Sequence, residues 1–366
     1  GLVLHDEPEP LIGRHVDGRI LVPAGFTSIC AMPNTRPIND NKTVTHYMIS
    51  KAKALGHVNL FPIAAASKGS EGAELSEIYD LAEAGAVAVS DDGMPVSSAE
   101  LLRKVLLYVK PIGIPVVDHP EELSLGRSGY MNEGTVSVRL GLNGIPQTAE
   151  SIAVARDILL AGETGSRLHL AHISTRYSIE LVRWAKKMGI PVTCEATPHH
   201  FTLSEGAVDG YNTNAKVNPP LRSEQDRQAL IEAIADGTVD CIATDHAPHG
   251  RDEKETEFDK APSGISGIET SLGLSLKLVH SGIIDRKGLV RLMSERPARI
   301  MGLKGKGTFR TGSDADVTII SPDERWVVDR GRFVSKGKNT PFHGMELRGR
   351  ATMTITGGTI HGDTRP

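Results

Sequence analysis

Charge of one sign, cysteine and long apolar runs are all in short supply in this chain. Its 366 residues carry 41 Lys and Arg against 45 Asp and Glu, a formal net charge of −4. That balance excludes a strongly basic nucleic-acid binder, whose electrostatic footprint needs an excess of cations. The longest apolar runs fall well short of the ~18 residues that a bilayer-spanning helix requires. Cysteine occurs three times, at Cys30, Cys194 and Cys241, always within an apolar strand-like run and never in a C-x-x-C pair. So odd and sparse a set excludes a disulfide framework and implies buried thiols in a reducing, cytoplasmic setting. The length suits one large domain or two ordinary ones, either able to bury a substantial core.

What the sequence does contain is an alternation of two patterns. Apolar, β-branched runs at 26–32, 58–64, 86–92, 114–119, 167–173, 191–197 and 239–245 are separated by stretches with helical periodicity. The clearest of those stretches are 74–84, 98–109, 148–161, 178–187 and 223–235. Strands alternating with helices predict parallel pairing through crossover helices, since a tight turn cannot join parallel neighbours. Seven units at roughly 30 residues each are one short of the eight that close a barrel. The expected fold is therefore α/β, a (β/α)8 TIM-like barrel over residues 23–305 with one βα unit missing. Beyond Gly305 come short strand-like runs at 316–321, 326–328, 344–349 and 352–359, linked by Gly, Pro and Asp. They predict a small β-sandwich domain from both termini, residues 1–22 and 306–366. Residues 1–4 and 19–22 have the same character, and chain ends often lie close together.

Polar residues gather at the C-terminal ends of the strand runs: Asn34, Asp91-Asp92, His119 with Glu121, His172, His199-His200 and Asp245-His246. In a parallel barrel those ends share the face on which active sites are built. Taken singly, each has a bland reading. A lone His more often bonds or caps than ligates, Asp92 could form a turn, and Asp245 could cap a helix. Taken together, two His and two Asp from four strand ends match an N/O ligand set for zinc or a similar divalent ion. A metal acidifies water towards pH ~7 and polarises a carbonyl, so the chemistry expected is hydrolysis. Asp245, on the last strand beside His246 and His249, is placed to carry the proton to a leaving nitrogen. Asp92 is better placed to bridge two metals.

Several runs together resemble the dihydroorotase family of amidohydrolases: Ala31-Met32-Pro33-Asn34-Thr35-Arg36-Pro37, Thr197-Pro198-His199-His200, Asn218-Pro219-Pro220-Leu221-Arg222 and Ala243-Thr244-Asp245-His246-Ala247-Pro248-His249. His172-Ile173-Ser174-Thr175, Gly312-Ser313-Asp314-Ala315-Asp316 and Lys336-Gly337-Lys338-Asn339-Thr340-Pro341-Phe342 fit the same pattern. The resemblance runs from Gly25 almost to the end of the chain. It implies reversible hydrolysis of dihydroorotate to N-carbamoyl-aspartate in pyrimidine biosynthesis, with two zinc ions per complete site. Carried over by position, His119 and His172 would be metal ligands and Asp92 a bridging ligand. Asp245 would be both ligand and general acid/base, while Asn34, Asn218, His249 and the backbone at Gly264 would contact substrate. Hydantoinases and other dihydroorotase classes bridge their metals with a carboxylated lysine on the fourth strand. That strand here ends Val89-Ser90-Asp91-Asp92-Gly93, which argues for the aspartate-bridged bacterial type I and against a hydantoinase or allantoinase. The resemblance also implies a homo-oligomer, with aspartate transcarbamoylase as a candidate partner.

One element departs from the family pattern. The first barrel strand should end in His-x-His followed by Arg, yet Gly18-Arg19-Ile20-Leu21-Val22-Pro23 leads through Ala24 directly into the second strand. His15-Val16-Asp17 precedes the pre-strand segment and ends in Asp, so it is no substitute. Two explanations stay open. Either the full protein is longer and carries the pair, or the unit is deleted and the protein is an inactive scaffold or regulatory subunit for aspartate transcarbamoylase. Without the pair, weak metal binding and little turnover are expected.

Overall fold

The computed structural model describes residues 3–4 and 22–363. Its centre is an eight-stranded sheet in the order β1 (Val3–Leu4), β2 (Ser28–Ala31), β3 (Asn59–Ala65), β4 (Ala88–Ser90), β5 (Val116–Asp118), β8 (Leu168–Leu170), β9 (Val192–Ala196) and β10 (Cys241–Ile242). A two-stranded parallel pair, β6 (Met131–Asn132) and β7 (Gly144–Ile145), sits in the excursion between β5 and β8. Every ladder in the large sheet is parallel, so all its strands end on the same side. All seven predicted strand runs contribute to this half-barrel wall. Among the described residues no ladder joins β10 back to β1.

The helices follow from local signals. The Ser98 side chain accepts from the Leu101 N–H and starts Ala99–Ile112, whose buried face is Leu101, Leu102, Val105, Leu106 and Val109. These recur at the i, i+4, i+8 spacing of one helical face. Lys42–Leu55, not foreseen from the sequence, is started by Asn41, whose side chain accepts from the Thr43 and Val44 N–H groups. Its buried apolar residues are Val44, Met48 and Ala52, with Leu55 packed beside them. No helix among the described residues is long and apolar enough to cross a membrane.

One expectation about the small domain needs correction. The character of Val3–Leu4 points to that domain, but these residues pair in parallel with β2, Val3 opposite Cys30 and Leu4 opposite Ala31. The rest of 1–4, with 19–21 and His15-Val16-Asp17, lies outside the described residues. The C-terminal part of the expected β-domain is present among the described residues. Its strands form one antiparallel sheet of β11 (Val317–Val327), β12 (Glu346–Thr356) and β13 (Thr359–Asp363). Among the described residues a helix packs on its apolar side. Leu274, on the helix Ile268–His280, packs with Val328, Phe333, Phe342 and Leu347. The turn entering β2 is stitched to the same sheet by side chains, with Thr354 Oγ1 donating to Val22 O at 2.6 Å and Thr318 Oγ1 to Gly25 O at 2.7 Å.

The contact between β12 and that helix is close at Gly349, which has φ +102°. A Cβ there would sit 2.2 Å from Leu276 Cδ1 and 3.1 Å from the Pro322 carbonyl. Gly349→Ala should therefore cost on the order of 3 kcal/mol, from overpacking plus left-handed strain. Chemical denaturation compares it with Gly344→Ala, where a Cβ meets nothing within 4 Å. Equal losses at the two glycines would contradict this account of the interface.

Candidate metal-dependent active site

Parallel pairing sends the strand ends to one rim, and the residues just beyond those ends form the site. Asp92 lies two residues past β4, His119 one past β5, His172 two past β8 and Asp245 three past β10. Asp92, His119 and His172 converge, all buried, with their ligand atoms within 4.8 Å of one another. Nδ1 of His119 is 3.1 Å from Nε2 of His172. Asp92 Oδ1 lies 3.6 Å from the first nitrogen and 3.4 Å from the second. Two imidazole lone pairs cannot face each other at that separation, so a proton or a cation must sit among them. A buried N, N, O set of this kind suits zinc and its neighbours among the divalent ions.

The second nitrogen of His119 is also engaged. Nε2 lies 3.1 Å from Glu121 Oε2, which accepts from Asn218 Nδ2 at 3.0 Å. A carboxylate behind a ligating imidazole fixes the ring and leaves the opposite nitrogen for the metal. Burial alone would keep the His119 ring neutral, but the Asp92 and Glu121 carboxylates outweigh it and push its pKa to about 10. Glu121 is held at about 2 against its own burial by His119 and Asn218. A metal entering this site thus displaces a proton. Glu121, at the end of its strand run, carries no signal in the sequence that sets it behind His119.

Asp245 stands apart from the tight trio. Its backbone is in the left-handed region, φ +46°, and its Oδ2 lies 3.7 Å from His199 Nε2. His200, beside His199 with ring centroids 4.4 Å apart, lies in the fields of both His172 and Asp245. Asn34 reaches the same rim, since its Nδ2 would be 3.4 Å from a Cβ placed on Gly93. His249 and Gly264 form one wall. His249 Nε2 donates to Ser263 O at 2.8 Å, and a Cβ on Gly264, whose φ is +145°, would fall 2.8 Å from His249 Nε2. Asn339 braces this wall from beyond β11. Its amide donates to Ala247 O at 2.9 Å and Gly264 O at 3.0 Å, and its Oδ1 accepts from His249 N at 2.9 Å.

Other polar residues at the rim are structural. Asp91 accepts from the Ser67 N–H and hydroxyl at 2.9 and 2.5 Å. His246 Nδ1 accepts from Gly267 N and Ile268 N, capping the helix Ile268–His280. His200 is fixed between Thr197 Oγ1 at 2.6 Å and Pro219 O at 2.8 Å. Burial drives its pKa down to about 4.

Known proteins resemble this chain in sequence and in fold. A family model described as dihydro-orotase-like matches residues 16–178. The dihydroorotase of Geotalea daltonii is 54% identical over 336 residues, 92% of this chain and 79% of that protein. The Geobacter sulfurreducens dihydroorotase is 54% identical over 342 residues, 93% of this chain and 80% of its own length. Among solved structures, L-hydantoinase (dihydropyrimidinase) from Arthrobacter aurescens matches with a TM-score of 0.88 at 26% identity, over 100% of this chain and 85% of that one. The dihydropyrimidinase of Brevibacillus agri, with a TM-score of 0.81 at 19% identity over 100% and 84%, shares the fold.

The buried neutral His200 makes stability depend on pH. Its folded pKa of about 4 lies below the unfolded value near 6.5, so the unfolded chain binds the proton first. Stability should fall as pH drops from 6.5 to 4, by on the order of 3 kcal/mol from this group, and level off below. Urea melts across that range should show a flatter profile for His200→Gln. Parallel profiles would contradict the assignment.

Proposed function

This chain belongs to the dihydroorotase family, and from that premise we propose that it catalyses the reversible hydrolysis of dihydroorotate to N-carbamoyl-aspartate. The observation that carries the proposal is the buried Asp92, His119 and His172 cluster at the rim, in a chain 54% identical to a dihydroorotase. Asp92, His119, His172 and Asp245 would hold zinc. The ion supplies Lewis acidity towards the ring amide carbonyl and towards water.

The chain's own residues supply positioning and proton transfer. Asn34, Asn218 and His249 hold the ring and its carboxylate, and the Gly264 backbone closes against one face. The Asp245 carboxylate takes a proton from the attacking water as the new C–O bond forms. It then delivers that proton to the ring nitrogen as the C–N bond breaks, so that no unprotonated amide ion has to leave. His249 stays neutral at physiological pH, since burial and then the nearby Lys254 charge bring its pKa down to about 4. It therefore serves as a hydrogen-bonding group and not as a counter-charge. Glu121 keeps the His119 ring aimed.

The zinc-loaded protein should convert dihydroorotate to N-carbamoyl-aspartate, measured by loss of ring absorbance in one direction and its recovery in the other. Asp92→Asn should remove metal uptake and turnover together. Asp245→Asn should lower kcat by ~10²–10⁴, the usual weight of general acid–base catalysis. Gly264→Ala should act mainly on KM, because its Cβ would press on Ala247 and His249. A zinc-loaded protein that leaves dihydroorotate intact would replace this reading with the inactive scaffold.

A further inference from the structure

Beneath the rim, three adjacent strands carry a second group of potential ligands: His169 on β8, Glu195 on β9 and Cys241 on β10, all buried. Its geometry is not that of a second metal centre. His169 Nε2 is already 3.0 Å from Glu195 Oε2 with a proton between them, and the other ring nitrogen is 2.8 Å from Thr193 Oγ1. Cys241 Sγ is 4.0 Å from the same carboxylate oxygen. Burial, and then the Glu195 charge, raise its thiol far above the usual range. A sealed, protonated thiol is a poor ligand. What the group does instead is fix one carboxylate in place.

The second oxygen of that carboxylate points upward. Glu195 Oε1 accepts from the backbone N–H of His172 at 3.4 Å, and the main-chain oxygen of Glu195 accepts from Ile173 N at 3.1 Å. Residue 195 therefore grips two consecutive peptide units where the chain leaves β8. The residue between those grips, His172, has φ +31°, a conformation that an L side chain adopts only when its surroundings hold it there. That turn swings the His172 ring towards His119 and Asp92. We propose that Glu195, anchored by His169, is a positioning residue. It holds the strained backbone of His172 and thereby presents its Nε2 to the metal.

The proposal rests on the reading of His172 as a ligand, and its test separates the two. Glu195→Met fills the space but removes both acceptors. Glu195→Gln keeps an oxygen for His172 N, and its amide can donate to His169 in the other tautomer, with Thr193 Oγ1 accepting from Nδ1. Zinc affinity by competition titration and the visible spectrum of the cobalt-loaded protein are the readouts, alongside kcat and KM for dihydroorotate. Glu195→Met should lose ~10–100-fold in metal affinity, the usual scale for residues behind a ligand, with an altered cobalt spectrum. Glu195→Gln should recover most of both. If Glu195→Met does not fold, Glu195→Asp takes its place, since the shorter side chain keeps the charge but not the reach. A loss of at least about tenfold then supports the proposal. Wild-type affinity and spectrum in every folded variant, with only thermal stability lowered, would overturn it. Metal binding without turnover by the unmutated protein would sink the dihydroorotase reading and leave this proposal standing. Absence of metal binding by that protein would overturn both.

Discussion

Two imidazole nitrogens and a carboxylate oxygen held within a few ångströms inside the protein repel unless something positive lies among them. That constraint organises the rim of this molecule. His119 and His172 come from neighbouring strands of a parallel sheet and meet at 3.1 Å, with Asp92 facing both. Each ring is held from outside the trio: His119 by Glu121, His172 through its backbone by Glu195. A proton satisfies the arrangement poorly, being one charge on one ring. A divalent cation satisfies all three donors at once.

The sheet makes such convergence possible. Because the strands of the large sheet run the same way, residues from positions 34 to 264 can reach one mouth without long loops crossing. The C-terminal sheet then closes over the helix Ile268–His280, and Asn339 reaches back to tie His249, Ala247 and Gly264 together. Stability and function thus share contacts. His246 caps that helix beside Asp245, and Arg222, four residues on from Asn218, binds Ser174, Asn132 and the Ile145 carbonyl. A defect in the small sheet should be felt at the mouth through this bracing.

Much of this was legible in the sequence because the signals were strong and local. The seven strand runs were apolar, β-branched and bounded by turn residues, and each appears in the sheet. The convergence of Asp92, His119 and His172 was legible because parallel strands leave little choice about where their ends go. What escaped detection depended on tertiary context. Lys42–Leu55 has β-branched residues and a thin apolar stripe, and its helix rests on the Asn41 cap and packing. Pro322 and Asp323 read as a turn, but β11 continues past them through an irregularity in its register with β12. Val3–Leu4 is too short to announce its partner, and pairing with β2 is set by the exposed edge that β2 offers. Glu195 and His169 looked like strand interior, because nothing in a linear pattern reveals which backbone a buried carboxylate will grip.

The most direct test of the account is anomalous diffraction at the zinc edge from crystals grown with zinc. A peak bonded to His119 Nδ1, His172 Nε2 and an oxygen of Asp92 is the predicted result. Crystals that bind zinc elsewhere, with the His119 and His172 nitrogens still facing each other across a proton, would contradict it.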